Sequence, residues 1–187
     1  MLAIASSKTT EAWGRILQLQ ELINANQQTL IDAETLLLDI SDSAYTLVAD
    51  PFTASLGKHM RHITDHYQQL LGGLSHRRVD YDSRDRNELV ETVRLEMVEL
   101  IRSLISQLGE LAENSDCELS VVLSIDENAR TPEVPSTLAR ELVFLQSHTT
   151  HHCAIISAML KLQGVFVPES FGIAPSTLKY EHLQCAH

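Results

Sequence analysis

The sequence predicts an all-α domain built as a four-helix bundle, with a small β-hairpin between the third and fourth helices. Three observations lead there. Of 187 residues, 44% are apolar, yet only seven are glycine and 5% aromatic, a balance that favours helices over a sandwich or barrel. Four stretches carry apolar residues three and four apart, the spacing of one helical face. Between the third and fourth of these stretches the pattern turns β-prone and is followed by a turn signal. The length suits one domain with a sizeable core, and with no internal repeat or composition break, residues 1–187 read as a single unit.

Residues 1–8 are expected to form a short disordered lead, since they have neither the basic start nor the apolar run of a signal peptide. The first helix begins near Thr9-Thr10-Glu11, where hydroxyls and an acid suit a helix N-terminus. Leu19, Ile23, Asn26, Leu30, Ala33, Leu37 and Ile40 then keep one phase, so a single long helix is expected, ended by Ser41-Asp42-Ser43. A loop runs through Asp50-Pro51, because the residue before a proline is biased out of the helical region. The second helix starts at Thr53 or Ser55 and stops at Gly72-Gly73. A polar connection from Ser75 to Arg86 leads to the third, whose stripe is Leu89, Val93, Met97, Leu100, Leu104, Leu108 and Leu111.

After Glu113-Asn114-Ser115-Asp116, the run Leu119–Ile125 is β-prone and Asp126-Glu127-Asn128 is a turn signal. With Arg130–Val134 this predicts the hairpin. Pro135-Ser136 marks the fourth helix, along which Leu138, Leu142, Leu145, His148, His152, Ile155, Met159 and Leu162 share one seam up to Gly164, a C′ glycine. The tail, 165–187, carries aromatics that suggest it packs on the bundle.

A formal charge of −11 argues against DNA, RNA or an anionic membrane surface as the main partner, since those need a basic face. No apolar run approaches the roughly 18–20 residues of a membrane span. Cys117, Cys153 and Cys185 are odd in number and far apart, which favours a reducing compartment, and the cytoplasm is the expected location. The long apolar stripes leave room for a homodimer face.

The chemistry lies in the histidines. Six of the nine fall in two short windows. His59, His62 and His66 are three then four apart on the second helix; His148 and His152 are four apart on the fourth, with His151 beside them but off the seam. Both spacings align imidazoles on one helical face. Clustered imidazoles in a bundle interior are costly to bury unless their nitrogens find partners. A divalent ion satisfies several at once, and neutral imidazole suits zinc or nickel. Three protein ligands plus water make an open site, and four make a closed one. There is no HExxH, no ExxH for a di-iron carboxylate site and no CxxCH for covalent haem. A bis-histidine haem would leave the other seam histidines without a role. Spacing alone does not choose among His59, His62 and His66.

A four-helix domain with a histidine on its second helix and HxxxH on its fourth resembles the DinB-like (YfiT-like) metalloprotein superfamily. The resemblance covers nearly the whole chain and rests on Leu56–His66, Val79–Arg86, Arg140-Glu141-Leu142, His148–His152 and Phe171–Leu178. It implies a divalent metal held by His62, His148 and His152. Where such proteins often continue with Arg-Gly-Gln after the last histidine, this chain has Cys153-Ala154-Ile155. His59, His66 and His151 then become flanking candidates, and Tyr81 and Arg84 candidates for a pocket. The arginines at 84 and 86 could bind a substrate anion, with ion pairs to Asp80, Asp82 and Asp85 the preferred reading. The resemblance implies a metal-dependent enzyme, of thiol S-transferase or hydrolase type, acting on a small molecule such as a low-molecular-weight thiol. The alternative is a non-catalytic metal-binding or stress-response protein with a structural ion.

Overall fold

A computed structural model describes residues 2–111, 116–126 and 132–185 of the chain. They are predominantly helical, in the order α1 (Leu2–Asp39), α2 (Asp42–Thr46), α3 (Leu56–Gly73), β1 (Arg78–Asp80), α4 (Glu88–Thr92), α5 (Arg94–Glu110), β2 (Glu118–Val122), β3 (Val134–Thr137), α6 (Leu138–Leu162) and α7 (Pro175–Cys185). A three-stranded sheet joins them, so the all-α expectation holds broadly and needs that addition.

The seam expected on α1 is the one observed. Leu19, Ile23, Asn26, Leu30, Ala33, Leu37 and Ile40 are all buried. The helix begins at Leu2, taking in residues expected to form a disordered lead; no glycine or proline in Leu2–Glu11 interrupts it. Beyond Asp39 the chain re-enters a short helix, α2, capped by the Ser41 hydroxyl, which accepts from the Ala44 N–H at 3.1 Å. Ser55 caps α3 in the same way through Lys58 N–H.

The third expected helix is two pieces. Val93 takes an extended conformation (φ −111°, ψ 101°) between α4 and α5. That break shifts the phase: Val90 turns inward while Leu89 and Val93 stay exposed, and Met97, Val98, Ile101, Leu104 and Leu108 form the buried face of α5. On α6, Leu138, Leu142, Leu145 and Met159 are buried as expected, whereas Leu162 is exposed and Ile156 is buried beside the seam. Gly164 has φ +72°, the left-handed conformation a C′ glycine supplies.

The hairpin expectation is met by β2 and β3, which pair antiparallel with Leu119 opposite Ser136. Pro135 and Ser136 lie in β3, so α6 starts later, at Leu138, capped by Thr137. Residues 127–131, on which part of the expected turn and hairpin falls, lie outside the described residues, as do 112–115. The segment expected to be a plain polar connection contributes β1, parallel to β2 with Val79 opposite Val121.

The helix α1 packs on α5 and α6, and α3 packs on the same two. One continuous apolar core runs between them. The segment after α6 adds Val167 and Phe171 to that core. There Gly172 (φ +76°) crosses the outside of α6 so closely that a Cβ would sit 2.4 Å from the Ala154 nitrogen. Among the described residues no helix is long and apolar enough to cross a membrane.

Candidate metal centre

The helices α3 and α6 lie side by side, and their histidine windows meet. His62 stands at the middle. Its ring centroid is 4.5 Å from that of His66, 5.0 Å from His148 and 4.7 Å from His152. His66 and His148 are 4.4 Å apart, and His148 and His152 are 4.6 Å apart. Ring nitrogens of His62, His66 and His148 all lie within 4.8 Å of one another. His152 borders this triad and turns its Nδ1 to the Nδ1 of His59, 3.0 Å away. His151 is exposed at the rim. The rings of His62, His148 and His152 are neighbours, but the nitrogens that converge are those of His62, His148 and His66; spacing leaves His66 level with His62, and the resemblance sets it among the flanking candidates. Its i,i+4 relation to His62 was the available signal.

Hydrogen bonds fix which nitrogens are free. The Nδ1–H of His66 donates to the His62 carbonyl at 2.7 Å, which leaves its Nε2 as the lone-pair nitrogen. The Nε2 of His148 is buried and has no partner. Arg84 donates from a terminal nitrogen to His62 Nδ1 at 2.8 Å. This corrects the preference for loop ion pairs: Arg84 makes no salt bridge among the described residues. Asp80 and Asp82 are turned to other work. Asp80 accepts from the Asp82 and Ser83 N–H groups, and Asp82 from Ser124.

The imidazoles are held neutral. Burial, reinforced by the neighbouring histidines and Arg84, pushes His62 and His148 down to about 3. Burial and His59 push His152 down to about 4. His59 and His66 are lowered too, again mainly by burial. Neutral imidazole is the form that binds a metal. The residues therefore fit a divalent cation: several neutral nitrogen donors converge, one of them a buried orphan, and unsatisfied buried polar atoms are rare in native proteins.

The walls of the cluster are aromatic and acidic. Tyr81 is buried, stacks on His66 at 5.3 Å and donates to Glu141 at 2.9 Å. Phe144 stacks on His148 at 5.5 Å. Glu141 is fully buried, and also takes Ser136 and Arg140 as partners. It lines an apolar recess of about 360 Å³ with Val121, Leu123, Val134 and Pro135. On the other flank Arg61 pairs with Asp65 and Glu91. Cys153, next to His152 in sequence, faces the core, and burial pushes its thiol up to about 12. It is an inert core residue. His76 is exposed, and the side chains of His182 and His187 lie outside the described residues.

One polar network beneath the histidines was not foreseen. Tyr67 donates to the Asn26 Oδ1 at 2.8 Å, Thr149 donates to the Tyr67 oxygen at 3.3 Å, and Asn26 donates to the carbonyls of Leu22 and Leu142. It stitches α1, α3 and α6 together directly below the cluster, one residue on from His66 and His148.

Comparison with known proteins gives a relative over part of the chain and a family over most of it. A stretch of 104 residues, 54% of the chain, is 35% identical to "FK506-binding protein 5" of Rhizopus delemar, of which it spans only 27%. No solved structure matches. The sequence profile of the DinB family matches residues 8–173, which takes in both histidine windows, the sheet and the segment that crosses α6. This chain belongs to the DinB family.

Proposed function

We propose that the protein binds one divalent ion, zinc or nickel, at the junction of α3 and α6, and that it is a metal-dependent enzyme of thiol S-transferase or hydrolase type acting on a small molecule in the cytoplasm. In this reading the four long helices act as the bundle that frames the site. His62, His148 and His152 are the ligands, with His59 orienting His152 through their shared hydrogen bond. The observation that carries the proposal is the buried, unpartnered Nε2 of His148 among neutral imidazoles. When bound, such an ion polarises a carbonyl or lowers the pKa of a coordinated water or thiol. The chain supplies the rest. Tyr81 and Phe144 wall the site, and the apolar recess beside Glu141 is of a size to take a small organic group.

A second reading has its own observation. His66 contributes a fourth imidazole, with its Nε2 lone pair free. Four histidine ligands would close the site and make the ion structural, which corresponds to a non-catalytic metal-binding protein. Cobalt substitution separates the two. A visible spectrum that shifts on adding 2-mercaptoethanol means that an outside thiol reaches the metal. An unchanged spectrum rejects the thiol S-transferase form of the enzyme reading.

A further inference from the structure

The cluster contains a cation with nowhere to go. Acidic residues outnumber Lys and Arg by 25 to 14, and Arg61, Arg78, Arg94, Arg102 and Arg140 all hold carboxylates. Arg84, pressed against His62, holds none among the described residues, and its Nε is buried without a partner. Asp65 feels the Arg84 charge, but its carboxylate is bonded to Arg61 at 2.9 Å.

The contact with His62 also has a consequence for ligation. A guanidinium has five N–H donors and no acceptor, so His62 Nδ1 must be the accepting nitrogen in the 2.8 Å contact. In a neutral imidazole the proton then sits on Nε2. While the contact stands, neither nitrogen of His62 offers a lone pair to a metal. Ligation through either one requires Arg84 to let go. Once it does, a guanidinium lies beside a divalent ion held by neutral ligands, a concentration of positive charge in a half-buried place. An anion resolves it, and a planar guanidinium matches a carboxylate in two parallel hydrogen bonds.

We infer that Arg84 is the anion-binding residue of this site: it occupies His62 while the cluster is empty, and passes to a carboxylate-bearing ligand when a divalent ion displaces it. The inference rests on the proposed metal centre and adds the charge class of the ligand. Metal and carboxylate therefore bind cooperatively, and Arg84 is the residue that couples them.

The test is calorimetric titration of the full-length apo-protein with Zn2+, in sodium benzoate and in sodium chloride at equal ionic strength. Benzoate is expected to tighten zinc binding by about tenfold in the wild type, within the usual range of such couplings. Arg84→Ala and Arg84→Met, the second keeping an apolar stem in place, are expected to bind zinc more tightly than wild type in chloride and to show no benzoate effect. The inference is overturned if both variants bind zinc no more tightly than wild type, if the benzoate effect survives in them, or if chloride matches benzoate. A wild type that binds no zinc overturns the metal centre itself, and this inference with it. Loss of the Arg84 effects alone leaves the centre standing.

Discussion

Two polar regions sit on the same pair of helices, one residue out of step. His66 and His148 face the histidine cluster; Tyr67 and Thr149, rotated about 100° around the same helices, face α1. The lower region is closed. Asn26 gives both amide hydrogens to carbonyls and receives the Tyr67 hydroxyl, which in turn receives Thr149. The upper region is open: His148 Nε2 and Arg84 Nε have no partner, and His66 Nε2 has a free lone pair. Burial alone therefore does not mark a site. Unspent hydrogen-bonding capacity does, because a buried polar group that serves only the fold is normally satisfied within it.

The contrast can be broken most decisively at His148. Substitution His148→Ala is expected to take metal content from one ion per chain to none in elemental analysis. A variant that keeps its full metal removes the upper region's claim to be a site. Next in size is the choice of third ligand. If three histidines ligate and His66 only supports them, His152→Ala should match His148→Ala, while His66→Ala weakens zinc binding by about 10–100-fold, the usual cost of losing a supporting group. Equal loss in both variants identifies the closed four-histidine centre.

The lower region should respond the other way. Tyr67→Phe strands the Asn26 oxygen and the Thr149 hydroxyl, and is expected to cost about 1–2 kcal/mol in urea unfolding with no change in metal content. If the metal content falls instead, the two regions are one unit. A separate expectation concerns the pH dependence of the apo-protein. His62, His148 and His152 titrate at about 3, 3 and 4 when folded, against about 6.5 unfolded. Above 6.5 they are neutral in both states and contribute nothing. Below it the unfolded chain binds protons that the folded one refuses, so stability falls from pH 6.5 down toward 3–4. Thermal midpoints measured between pH 7.5 and 5 should drop, and should drop less in His148→Ala. A flat profile rejects the assignment of neutral, buried imidazoles.

Much of this was legible in the sequence where periodicity is long. The seam of α1 from Leu19 to Ile40 and that of α6 through His148 and His152 needed only spacing, and two histidine windows at helical intervals implied a meeting point. Short or local features were not legible. The strand β1 is three residues long, too short to show any period, and pairs with a partner some 40 residues away. The break at Val93 is a backbone choice that a β-branched residue in an apolar stripe does not announce. Asn26 reads as a flaw in the seam until Tyr67 is seen reaching it from α3. Arg84 lies among aspartates in sequence, so the local ion pairs looked natural, whereas the loop carries it to His62 instead.

The crossing of Gly172 over α6 has a mechanical corollary. A stretch ten residues beyond the helix's end returns to press its bare backbone against Cys153 and Ala154, adjoining His152. The imidazole-bearing rod is thus clamped from outside by a strap with no side chain at the crossing, and any methyl placed there would act as a wedge. Seating of the histidine-bearing helix is in this way tied to a single hydrogen atom on the surface opposite its imidazoles.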